Sequence, residues 1–169
     1  MHPLIFLLKI HSPWSTSAFK KITLTFLDLI NNSINDGVYK CGFARNQSAY
    51  DKASKNLFAA INEIENLLQK NKGGWIFGEE LTYADIYLFP TLIRWELIYS
   101  KLFKCTEQEL SSFEKIIEWR LKFFKLSNVK VTCFDNEWKK DYYKALFPLN
   151  PNQINPVLPS LKEIMKVET

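Results

Sequence analysis

Leu81-Thr82-Tyr83-Ala84-Asp85-Ile86 opens a helix at one register and no other. A threonine at the N-cap accepts from the backbone N–H three residues on, and an acidic side chain at that third position returns a bond to the cap's own N–H. Thr82 and Asp85 stand at this spacing, with Asp in place of the commoner Glu or Gln. Leu81 before the cap and Ile86 at the fourth helical position complete a hydrophobic staple. A cap of this kind contributes about 1 kcal/mol. The helix runs on as Tyr87-Leu88-Phe89-Pro90-Thr91-Leu92-Ile93-Arg94-Trp95, apolar nearly all round, and such a helix lies inside a protein. Pro90 is expected to kink it. Asp85 is read as a cap, not as a catalytic carboxylate. Arg94, alone in apolar surroundings, is read as one half of a structural ion pair.

On either side the pattern stays helical. Ile22, Phe26, Leu29, Ile30 and Ile34 recur at helical spacing, and Asn35-Asp36-Gly37 reads as the stop, followed by a loop over Val38 to Phe43. From about Gln47 to Lys70, Tyr50, Ala53, Leu57, Ile61, Ile64 and Leu68 share one face of the longest amphipathic helix. Lys72-Gly73-Gly74 breaks it. Further helices are expected over Ser112–Leu126 and Asn136–Leu146. Pro148 to Pro159 holds four of the seven prolines and is expected to be an extended tail. Residues 1–20 show no periodicity and are assigned no regular structure. Residues 21–169 then form one all-α helical domain.

Composition narrows the function. At 169 residues the chain is of single-domain size and can bury about two thirds of its unfolded surface. The 22 basic and 18 acidic residues interleave without a block of like charge, which argues against a nucleic-acid partner. The opening apolar run is far shorter than the roughly 20 residues that span a bilayer, and it lacks the flanks of a signal peptide, so no membrane partner is expected. Cys41, Cys105 and Cys133 are odd in number and far apart, as suits reduced thiols in a cytoplasmic protein. The two histidines, His2 and His11, leave no material for a triad or a metal site.

The capping box and four further segments carry a family resemblance. Leu81 to Ile86 is similar to the S/T-x-x-D box that opens the central helix of the C-terminal domain of glutathione transferases. Ile34-Asn35-Asp36-Gly37-Val38-Tyr39-Lys40-Cys41-Gly42-Phe43-Ala44 resembles the N-N-G-V-Y-K-A-G-F-A signature of the Xi class, the omega-like glutathionyl-hydroquinone reductases. Leu88 to Trp95 resembles that branch's L-F-x-T-L-I-R-F, and Phe103-Lys104-Cys105 its H-F-K-C. Asp141-Tyr142-Tyr143 and Ile154-Asn155-Pro156 resemble its H-Y-Y and I-N-P. Glu96-Leu97 stands where the family has Asp-Pro, and Leu102 where it has His.

The resemblance implies a glutathione-transferase-type helical bundle with the proline-rich tail. It implies glutathione as co-substrate and an aromatic or quinol small molecule as substrate, bound by the hydroxyls of Tyr39, Tyr142 and Tyr143. A homodimer is expected. Family members carry a thioredoxin-like domain ahead of the helices, with a C-P-W-A motif whose cysteine attacks the glutathionyl thioether. His11-Ser12-Pro13-Trp14-Ser15 has serine at that place, which cannot replace a thiolate, and is read as a chance likeness. No residue here is assigned as catalytic, and the chain is expected not to catalyse alone. The alternative is a non-catalytic helical interaction or dimerisation module, or a subunit that pairs with a separate thioredoxin-like chain. Cys41 occupies a place where the family commonly has alanine, so a small residue is all the position needs.

Overall fold

The computed structural model describes residues 24–166. The segment expected to be irregular, 1–20, with both histidines and His11 to Ser15, lies outside them. Among the described residues the regular elements are all helices, with one isolated bridge pair, Trp75 and Gly78. Helix α1, described from residue 24 onward, passes through a π-helical stretch, Ile30–Asn35, and ends in Asp36–Gly42. Then follow α2 (Gln47–Lys70), α3 (Tyr83–Leu92), a second π-helical segment (Trp95–Tyr99), α4 (Glu114–Phe124), α5 (Asp135–Ala145) and α6 (Leu161–Met165). Residues 153–160 have no regular structure.

The Asn35-Asp36-Gly37 stop is corrected: α1 continues for another turn and a half. Gly37 has no positive φ, unlike Gly74 and Gly78. A Cβ there would lie 3.4 Å from Leu57 Cδ1, so this glycine lets α1 press against α2 and does not end the helix. On α2, Leu57, Ile61, Ile64 and Leu68 bury the expected stripe, joined by Phe58 and Ala60. α3 packs against α1 and α4, α2 against α4, and α5 against the π-helical segment. Leu88, Leu92, Trp95, Ile98 and Trp119 are almost wholly buried at the centre.

Asp85 organises that centre. It is completely buried. Its Oδ2 accepts the Thr82 N–H at 2.8 Å and the Thr82 hydroxyl at 2.8 Å, closing the capping box. Its Oδ1 accepts the Ile76 N–H at 3.0 Å and the indole N–H of Trp119 at 2.8 Å. One carboxylate therefore fixes the start of α3, the loop before it and a core tryptophan of α4. α4 has no side-chain cap of its own; Glu65 of α2 supplies it, accepting the N–H groups of Lys115 and Ile116 at 2.9 and 2.8 Å.

Candidate functional site

α1, the π-helical segment and α5 bring three phenols into one hydrogen-bonded row. Tyr39 lies in the last turns of α1, and its hydroxyl is 2.8 Å from that of Tyr142 on α5. Tyr142 is in turn 3.1 Å from the hydroxyl of Tyr99. The rings meet edge-on: Tyr39–Tyr99 and Tyr99–Tyr142 centroids are each 6.0 Å apart, near the geometry that aromatic quadrupoles favour. Phe103 backs all three, 5.0 Å from Tyr39 and 5.3 Å from Tyr99. Its place depends on Gly42, where a Cβ would come within 2.8 Å of the Phe103 ring.

Tyr99 is buried, Tyr142 partly exposed, and Tyr39 is 39% exposed, so the row runs from the core to the surface. Burial, followed by the bond with Tyr142, pushes the Tyr39 and Tyr99 hydroxyls up, and both stay protonated at neutral pH. Three hydroxyls joined by two bonds leave one O–H to donate outward. Because either partner in each bond can be the donor, the row can reverse and accept instead. Such a surface suits a ligand with an aromatic ring and a hydroxyl or carbonyl oxygen.

Tyr143, expected alongside, is not part of the row. It is 4% exposed and donates to the Leu97 carbonyl at 3.1 Å, pinning α5 to the π-helical segment. Tyr99 carried no signal in the sequence, since it lies where the helical pattern of α3 has faded.

Among the described residues Arg94 does not form the expected ion pair. Its Nη1 donates to the Pro90 carbonyl at 2.7 Å, and its guanidinium stacks 4.4 Å from the centre of the Trp138 ring. The buried ion pair belongs to Arg120 and Glu96, bidentate at 2.7 and 2.9 Å, with the Leu92 carbonyl a third acceptor at 3.0 Å. Cys41 is buried against Cys105, whose hydrogen bond holds the Cys41 thiol below its ordinary value while Cys105 is pushed up. Burial also pushes the Cys133 thiol up. Among the described residues no cluster of metal ligands forms, and no helix is long and apolar enough to cross a membrane.

Residues 47–124 match the family model of the glutathione S-transferase C-terminal domain. These helices are a glutathione S-transferase C-terminal domain. The domain is similar to glutathionyl-hydroquinone reductase PcpF of Sphingobium chlorophenolicum, 35% identical over 138 residues, or 79% of this chain and 44% of that protein. The glutathione-bound structure of YqjG, a glutathione transferase homolog from Escherichia coli, superposes with a TM-score of 0.80 at 27% identity, over 86% of this chain and 46% of that one. Glutathione transferase Xi 1 from Trametes versicolor does so with a TM-score of 0.79 at 31% identity, over 85% and 49%. The chain spans about two fifths of the length of the curated relatives it matches.

Proposed function

We propose that this domain is the aromatic-substrate half of a glutathionyl-hydroquinone reductase, in which Tyr39 and Tyr142, with Tyr99 behind them, hold a quinol oxygen. The support is the hydrogen-bonded row of three phenols opening onto the surface. A phenol orients a quinol without adding charge, offering a ring face and one O–H. Tyr143, with its hydroxyl on the Leu97 carbonyl, holds α5 in place for them.

In a reaction of this class a cysteine thiolate takes the sulfur of the glutathionyl thioether. The carbon–sulfur bond breaks, the ring carbon gains a proton, and a second glutathione reduces the mixed disulfide. Cys41 and Cys105 are buried and the Cys133 thiol is pushed up, so none suits that part. The domain binds the quinol, and the nucleophile and the glutathione site belong to a thioredoxin-like unit outside the described residues. By itself the domain binds without turnover.

Isothermal titration of the chain with hydroquinone, under reducing and oxygen-free conditions, tests this. Saturable binding is expected, weakened about three- to tenfold in Tyr142→Phe, the range for one lost neutral hydrogen bond, and unchanged in a folded Tyr143→Phe. No binding, or equal binding by Tyr142→Phe, would refute the assignment.

A further inference from the structure

Arg94 reaches α5 one turn from the phenol row, and among the described residues no acid forms an ion pair with it. Trp138, on which its guanidinium stacks, is one turn before Tyr142 on α5. Glu96 is chelated by Arg120, and Asp135 accepts the Leu161 N–H at 3.1 Å and lies 3.6 Å from Lys139. Among the described residues no carboxylate pairs with Arg94.

The side chain is nonetheless held in place. Where α3 gives way to the π-helical segment, the Arg94 N–H bonds the Thr91 carbonyl, and the Pro90 carbonyl is taken by Arg94 Nη1. With one face on the indole and its Nε buried without a partner, the guanidinium is partly desolvated and uncompensated. A cation kept this way is costly unless an anion meets it. With Nε buried and Nη1 on the Pro90 carbonyl, Nη2 and the second Nη1 hydrogen are the end of the fork left for a ligand, and that end can take a carboxylate by two parallel bonds.

We propose that Arg94 is an anion-recognition residue of the phenol face, and that the preferred ligand is a quinol carrying a carboxylate on its ring. This rests on the quinol assignment above. The phenol row takes a ring oxygen while Arg94 takes the carboxylate on the Trp138 side. No covalent step is involved.

Titration of the full chain with 2,5-dihydroxybenzoate and with hydroquinone, side by side, separates the two ideas. The carboxylate-bearing quinol is expected to bind about tenfold more tightly, the scale of one charged hydrogen-bonded contact. In Arg94→Gln the two should bind alike. In the unmodified chain, added salt should erode the preference for the carboxylate and leave hydroquinone binding alone, a readout that needs no variant. Equal binding of both by the unmodified chain overturns the role of Arg94 and leaves the quinol assignment standing, and so does a preference that survives both Arg94→Gln and salt. If neither binds, both fail. Arg94-dependent binding of free glutathione, without a preference between the quinols, would place the anion on the peptide and overturn the ring carboxylate.

Discussion

Asp85 illustrates how much one residue can do beyond what its spacing announces. The box with Thr82 is legible because it spans three residues. The bonds to Ile76 and Trp119 bridge 9 and 34 positions and follow no local pattern. All four partners donate, so Asp85→Asn would turn its NH₂ group toward at least one donor. A loss of about 2–4 kcal/mol is expected, the scale of a broken buried polar network, read from urea unfolding. Tyr143 titrates differently. Burial pushes its phenol up to about 12 in the folded chain, against an ordinary value of 10.0. Its contribution is intact below pH 10 and is lost as the pH rises toward 12, since the unfolded chain sheds the proton first. Urea midpoints should fall across that window, less steeply in Tyr143→Phe. Tyr39 and Tyr99 shift in the same direction, so the fall should not vanish.

At the scale of elements, the helices themselves were readable wherever apolar residues recur with the helical period, and the errors fall where that period is broken. Both π-helical stretches insert an extra residue into the turn, Ile30–Asn35 within α1 and Trp95–Tyr99 after α3. The second re-aims Tyr99 toward α5, which no 3.6-residue pattern foretells. Tyr142 and Tyr143 part for a helical reason: neighbours on a helix point about 100° apart, so Tyr142 joins the phenol row while Tyr143 turns to the Leu97 carbonyl. Gly37 and Gly42 sit inside α1 because the side chains of Leu57 and Phe103 press against them, and glycine in a sequence reads more readily as a stop. Gly42→Ala should push Phe103 from beneath the phenols. The expected cost is about 1–3 kcal/mol of stability, as for other overpacked sites, seen in calorimetric unfolding, together with weaker hydroquinone binding.

For the molecule as a whole, the family was legible because its signatures lie in the helices that make the core, and residues 47–124 match the domain model accordingly. The site was legible only in part. Tyr39 and Tyr142 are 103 positions apart, and motif likeness, not spacing, singled them out. Their meeting with Tyr99 is a product of α1, the π-helical segment and α5 closing on one another, a three-dimensional fact that no segment carries alone. If that convergence is the reason for the face, a quinol should disturb these side chains together and spare their neighbour. Tyrosines labelled with ¹³C at Cζ, followed by NMR through a hydroquinone titration, make this visible residue by residue. The signals of Tyr39, Tyr99 and Tyr142 are expected to move along one saturating curve while Tyr143 stays still. Movement of Tyr143 without the other three, or no movement of any, would contradict it.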